Sequence, residues 1–271
     1  MPDRNKAADA CAAGLFAGLG DDYDAARPRP PHEIVDLLFE TGAAPAPTVV
    51  DLGAGTGLST LLWAGRASRV VAVEPAADMR AVLSRHVTAG RFAGTPVEVR
   101  DATAEATGLP DACADVVTAS QSLHWCDTAR ALPEIARIVR PGGLLAVYNP
   151  SWPPQVDPEV DDAFVEFRRR VRQARSRGRT SARPRGPGTH ELLAASGLFR
   201  EVQECELHRK ETGDAARLIT CALTIGDTGN LLASGTTEAD IGLDALREVA
   251  ARRLSAPRDW RWTYRLHLAR R

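Results

Sequence analysis

Lysine is almost missing. Of the 34 basic residues only Lys6 and Lys210 are lysines, and the rest are arginine. With frequent alanine and proline, this bias looks like a GC-rich genome and says more about codons than about chemistry. Cysteine is sparse as well: Cys11, Cys113, Cys126, Cys205 and Cys221 form an odd set, with no C-x-x-C pair and no Cys/His spacing. Neither a disulfide framework nor a metal site is expected, and free thiols in a reducing cytoplasm are the simplest reading. No apolar run approaches the ~20 residues that a membrane span needs. The stretch Ala7 to Leu19, after Arg4 and Lys6, lacks the solid Leu/Val centre of a signal peptide. A cytoplasmic protein is therefore expected. Excess charge is missing too: the net value is −1, which points to neither nucleic acid nor a membrane as partner.

What remains is an ordinary globular composition, 44% hydrophobic and 25% charged over 271 residues. That is enough for one large domain, or one domain with a smaller addition. Residues 1–30 are Ala-rich, then proline-rich, and read as a short helix and a turn. A helix follows from about His32 to Thr41. From "TVVDL" (48–52) the pattern alternates. A helix over Leu58–Ala67, the strand "RVVAVE", a helix over Ala77–Thr88, and the strands "VEVRDA" and "DVVTAS" follow in turn. Next come a helix from Thr128 to Val139, capped by Asp127, and the strand "LLAVYN". Pro133 is expected to start or kink that last helix. Short, continuous apolar strands alternating with helices imply a parallel sheet covered on both faces. After Asn149 the alternation breaks. "FREVQECELHR" and "WRWTYRLHLAR" supply the last two strands, with helices at about 190–196, 214–224 and 237–254. The expected fold is α/β: a Rossmann-like, seven-stranded, mostly parallel sheet with one antiparallel edge strand, helices on both faces and an α-helical cap. The expected domains are a helical lid over 1–47, a core over 48–150, cap inserts over 151–198 and 209–256, and final core strands over 199–208 and 260–270.

The turn after the first strand carries the chemistry. Asp51 precedes Gly53, Gly55 and Gly57, a G-x-G-x-G pattern. A dinucleotide fingerprint spaces its third glycine one residue later, and the phosphate-cradling loop needs a lysine that is absent here. A nucleoside with a carboxylate fits such a turn better. Gly53 and Gly55 let backbone approach the ligand and can take positive φ. Gly57 lets the following helix pack closely, with its N–H groups toward an anionic group. Glu74 ends the second strand, 19 residues after Gly55, where a carboxylate can accept from both ribose hydroxyls. Asp101 ends the third strand, where it can accept from an adenine amino group.

"VVDLGAGTGLST", "VVAVEPAADM", "VRDATAEATGLPDACADVVTASQSLHW" and "EIARIVRPGGLLAVYN", in that order, resemble the class I S-adenosylmethionine-dependent methyltransferases. The likeness covers residues 20–150 and, more weakly, the final strand. "YDAARPRPP" is similar to the Y-x-x-x-R-P entry of the narrower trans-aconitate and ubiquinone/menaquinone-type branch. The resemblance implies S-adenosyl-L-methionine as cofactor, with S-adenosyl-L-homocysteine as product. It implies ribose and adenine roles for Glu74 and Asp101, the Ala102 backbone on the ring, and apolar cover from Pro75 and Met79. The turn residues Gly53, Ala54 and Gly55 would touch the cofactor. Tyr23 and Arg27 would close over the methionine end, with Arg27 pairing its carboxylate. Ser120, Gln121 and the pair His124–Trp125 would sit beside cofactor and acceptor. Each also has a plainer reading. Glu74 could cap the next helix, Asp101 could be a turn residue, Arg27 a surface residue, and Asp51 an anchor of the turn backbone.

A sulfonium methyl is already electrophilic, so the protein must align a nucleophile and exclude water. His124 reads as a general base or as a buttress of the loop. Adenine N-methyltransferases of this fold carry [DNS]-P-P-[YF] where this chain has "SQSL", and Cys126 is poorly placed for covalent chemistry. The run 168–185 holds nine arginines and no acid, leaving the rest of the chain near −10. It reads first as a mobile cap segment, then as a site for an anionic substrate such as a carboxylate, a phosphate or an acyl-carrier protein, and last as an RNA contact. Trp125 and Trp152 are candidate acceptor contacts, with Phe164 and Phe167 as core or pocket. The expectation is an O- or N-methyltransferase acting on a small molecule, in bacterial secondary metabolism, with no metal.

Overall fold

The computed structural model describes residues 18–177, 188–226 and 228–271. The Ala-rich start with Cys11, and the end of the arginine run from Gly178, lie outside the described residues. Helices α1 (Gly20–Ala26) and α2 (Glu33–Glu40) flank the proline-rich turn. The core follows as β1 (Thr48–Leu52), β2 (Arg69–Val73), α3 (Ala77–Thr88), β3 (Val97–Arg100), β4 (Ala114–Ser120), α4 (Thr128–Ile138) and β5 (Val139–Pro150). After it come α5 (Pro158–Arg177), α6 (Thr189–Ala195), β6 (Arg200–Gly213), α7 (Ala215–Leu223), α8 (Thr228–Ala233), α9 (Glu238–Ile241), α10 (Leu243–Arg253) and β7 (Arg258–Arg270).

The sheet order is β3-β2-β1-β4-β5-β7-β6. β1 through β5 run parallel, with Val50 of β1 facing Val71 on one side and Val117 on the other. β7 runs against both β5 and β6, so the reversed strand lies one in from the edge. Because β2 and β4 flank β1, the connections leave β1 and β4 toward opposite sides. That opens a crevice beyond their carboxyl ends, where open α/β sheets bind ligands.

Two boundaries differ from the sequence expectation for one reason. β6 reaches Gly213 and β7 begins at Arg258, because the two pair as a long ribbon past the end of β5. Trp260 and Trp262 bury their rings on that ribbon, so the helical insert starts after Gly213. Gly242, with φ of 71°, divides the expected 237–254 helix into α9 and α10.

The helix expected over Leu58–Ala67 is instead a single 3₁₀ turn, Thr60–Trp63, within a longer set of turns. Asp51 explains it. Its fully buried carboxylate accepts from Ser59 Oγ at 2.9 Å, Thr60 Oγ1 at 2.7 Å and Thr118 Oγ1 at 2.7 Å. Those bonds hold the first turn by its side chains, and Gly65 with φ of 70° ends it. Asp127 does cap α4, accepting from Ala129 N at 3.1 Å, and Pro133 lies inside that helix rather than at its start. No helix of the described residues is long and apolar enough to cross a membrane.

Candidate functional site

A cavity of about 830 Å³, mouth included, opens beyond the carboxyl ends of β1, β2 and β4. Gly53 and Gly55 form its floor, Glu74, Pro75 and Met79 one wall, and Ser120, Gln121 and Trp125 another, with Tyr23 above. These residues lie far apart in the chain and were all expected at the site. At Gly53, φ is 63° and an added Cβ would stand 2.4 Å from Ser122 Cβ, so only glycine lets this loop approach β1. At Gly55, φ is 58° and nothing lies within 4 Å of where a Cβ would be. That space is the cavity, and a side chain would fill it. Gly57 serves packing instead. Its N–H bonds Ala54 O at 2.9 Å and an added Cβ would meet Leu83 Cδ1 of α3 at 2.5 Å. The N–H groups of a helix following Gly57 are expected to face an anionic ligand group, and this is corrected: a 3₁₀ turn, Thr60–Trp63, stands there instead of an α-helix.

Glu74 is buried and holds two elements at once. Its Oε2 accepts from Gly55 N and its Oε1 from Ala76 N, both at 2.8 Å. Ala76 is the N-cap residue of α3, so the capping alternative also holds, without displacing the first: each carboxylate oxygen keeps a second acceptor direction toward the cavity. Burial pushes the Glu74 pKa up, and the two backbone N–H groups act against that rise.

Tyr23 and Arg27 stand at i and i+4 on α1 and its end, hence on one side. The end of α1 is anchored where Ala26 O accepts from Arg217 Nε and Cys221 Sγ, both at 3.0 Å. Arg27 is no surface residue. It is 8% exposed, lies 4.8 Å from the Tyr23 ring centre and 4.6 Å from that of Trp152, and donates from Nη2 to Gln121 Oε1. Its Nε and Nη1 have no hydrogen-bond partner among the described residues. A buried guanidinium with two idle donors is costly unless a ligand supplies an acceptor. Gln121 adopts φ of 54°, a left-handed conformation unusual for this residue, to present that side chain.

Other expected residues fall elsewhere. Asp51 and Ala54 lie beneath the cavity: Asp51 anchors the turn and does not line the cavity. Asp101 and Ala102 are also absent from its lining. The Asp101 side chain is 70% exposed, and Arg80 draws it outward with a 2.7 Å ion pair. In its place Thr103, Ala104 and Glu105 line that end, joined by Ser122, Cys126 and Asp127 from the loop after β4. Both segments follow strand ends, the signal that could have found them.

A second cavity, about 1180 Å³ with its mouth, shares Tyr23, Gln121 and Trp125 with the first. His124, Trp152 and Phe167 line it, as do Arg27 and three arginines of α5. Phe164 is core, fully buried with its ring centre 5.8 Å from that of Trp152. His124 is exposed and lines this cavity. Desolvation and then the Arg27 guanidinium push its pKa down to about 4. Its weight in stability thus lies above the ordinary 6.5 and fades as pH falls through about 4. Its ring centre lies 5.0 Å from that of Trp125, a contact that fits the buttress reading. His124→Gln is expected to keep most turnover at neutral pH and to leave no inflection near 6.5 missing from the pH profile. A large fall in kcat would assign it proton transfer. In a separate pocket, His190, Glu204 and His267 bring ligand atoms within 4.8 Å of one another. Arg265 also holds that carboxylate at 3.2 Å, and we assign no metal there.

Residues 50–147 match the family model described as a methyltransferase domain. Over those residues the chain is similar to a methyltransferase domain. It is 42% identical over 132 residues to an uncharacterized methyltransferase of Mycobacterium tuberculosis, covering 49% of this chain and 50% of that protein. It is 39% identical over 118 residues to a trans-aconitate 2-methyltransferase of Azoarcus, covering 42% and 44%. The chain thus spans about half the length of the curated relatives it matches. A solved structure from Anaeromyxobacter dehalogenans, described as a type II methyltransferase, superposes with a TM-score of 0.60 at 26% identity. It covers 90% of this chain and 97% of that one. All of the first cavity's lining except Tyr23 falls within the matched residues, and the second cavity opens beside it.

Proposed function

We propose that this protein transfers a methyl group from S-adenosyl-L-methionine to an oxygen of a small-molecule acceptor, with nitrogen the second choice. The carrying observation is the pair of cavities that share Tyr23, Gln121 and Trp125. One suits a nucleoside and the other an acceptor. When bound, the cofactor supplies an electrophilic methyl on a sulfonium. Glu74 accepts from the ribose hydroxyls, Pro75 and Met79 cover the adenine, and the idle donors of Arg27 take the methionine carboxylate. Asp101, at the rim, serves only the outer edge of the base. Trp125 and Trp152 wall the acceptor side, where aromatic faces steer a cation, and neutral His124 supports the loop. The described residues 18–47 and the described helices after residue 150 act as lid and cap in this reading, in keeping with a trans-aconitate-like branch and a role in bacterial secondary metabolism.

Two measurements test it. Glu74→Ala is expected to weaken S-adenosylhomocysteine binding by about 1–2 kcal/mol, the scale of lost charged hydrogen bonds. Unchanged affinity by calorimetry would remove Glu74 from the site. Labelled methyl from the cofactor should appear in a small-molecule product. A label lost under mild alkali marks a methyl ester, and one retained marks an ether or an amine. Cofactor binding with no transfer to any acceptor would instead make the chain a cofactor-binding protein of non-methylating chemistry.

A further inference from the structure

The second cavity is more basic than a methyl donor can account for. On α5, Arg168, Arg172 and Arg175 stand at i, i+4 and i+7, one face over about two helical turns, and all three line this cavity with Arg27. Neighbouring arginines on the same helix behave differently. Arg169 and Arg170 both bond Glu166, at 2.6 and 2.8 Å, and stay off the cavity. Neither Arg168 nor Arg172 has an acid within 4.0 Å among the described residues. Burial, and then the nearby Arg172 and Arg27, push the Arg168 pKa down. Trp152 lines the same cavity, as do Phe167 and Val171 of α5 itself, beside the arginines.

The donor cannot balance these charges. Its one carboxylate is matched by Arg27, and its sulfonium and ammonium groups are themselves positive. At least Arg168, half-buried, and Arg172, exposed, are left without a counter-ion in a cavity that Trp152, Phe167 and Val171 also line. Guanidinium forks suit planar or tetrahedral oxyanions.

We infer that the α5 face formed by Arg168 and Arg172 is the acceptor-recognition site, and that the acceptor is a small molecule bearing a carboxylate or phosphate on an apolar body. The oxyanion is held by the two arginines, and the apolar part lies on Trp152 and Phe167. This rests on the methyltransferase reading and narrows it to anionic acceptors. The same face gives the arginine run a ligand-binding role in place of a solvated one, up to the last described turn of α5. Net charge alone hides the site, because acids elsewhere cancel it.

The test uses the full chain saturated with S-adenosylhomocysteine, whose own titration reports on the cofactor site. Into it are titrated 4-phenylbutyrate, 2-phenylethyl phosphate and, as the neutral control, 2-phenylethanol. At least one of the two anions is expected to bind saturably, at least about tenfold tighter than the alcohol, and to weaken with salt. Comparing the two anions identifies the group preferred. Arg168→Gln and Arg172→Gln should each weaken the anion about tenfold and leave S-adenosylhomocysteine affinity unchanged, whereas Arg169→Gln should change neither. Equal binding of alcohol and anion, no saturable anion binding, or anion affinity indifferent to both variants would overturn the inference. If S-adenosylhomocysteine itself fails to bind, the functional reading fails, separately from this one.

Discussion

Asp51→Ala is expected to lower the unfolding free energy by at least about 3 kcal/mol, because three buried hydroxyls lose their common acceptor. Asp51 is 0% exposed and gathers Ser59 and Thr60 from the glycine turn and Thr118 from β4. Ser59 in turn meets the buried Tyr148 hydroxyl at 2.6 Å, so the network reaches β5. Urea unfolding should show the midpoint falling with an unchanged slope, the sign of lost stability rather than altered compactness. Asp51→Asn, of the same shape, should cost markedly less, because the hydroxyls can turn to accept from the amide. A pH series separates charge from geometry. Burial raises the Asp51 pKa above 3.8, so over that window the native state holds the proton that the unfolded chain has lost. This term therefore makes stability fall as pH rises from 3.8 to the raised value. The Asn variant should lack that slope. An Ala variant as stable as the parent would mean the turn is held by something else.

Arg27→Met is expected to separate binding from folding. Affinity for S-adenosylhomocysteine should fall by about 1.5–3 kcal/mol, the range for a hydrogen-bonded charge, or roughly ten- to a hundredfold. Stability without ligand should not fall, because the native guanidinium is buried with Nε and Nη1 idle, and an uncompensated buried charge is itself costly. Methionine keeps the apolar packing against Tyr23 and Trp152. The two outcomes together distinguish a binding residue from a structural one. Unchanged affinity would free Arg27 from the donor. A large loss of stability would mean that its bond to Gln121 and its stacking outweigh its desolvation.

Elements set by neighbours in sequence are legible in it. The apolar runs of β1, β2 and β4, the helix over Ala77–Thr88 and the cap at Asp127 depend on neighbours in sequence, and all stand as expected. Glu74 was visible because a strand end and a glycine turn fix its position. Failures came where a distant partner decides. The 58–67 helix is undone by the hold of Asp51 on two of its hydroxyls. Asp101 is drawn outward by Arg80, on a helix that precedes it in the chain. Arg27 meets Gln121 across 94 residues, and no periodicity announces such a contact. The arginine run looked uniform in sequence. Only the helix turns it into two faces, one paired with Glu166 and one lining the second cavity.

The central claim is that the glycine turn, Glu74 and Arg27 together hold an adenosyl amino acid. Calorimetric titration of the purified chain with S-adenosylhomocysteine addresses it most directly. The account predicts saturable one-to-one binding, competed by S-adenosylmethionine and untouched by a nicotinamide dinucleotide. No heat and no competition, or occupation by the dinucleotide instead, would contradict it.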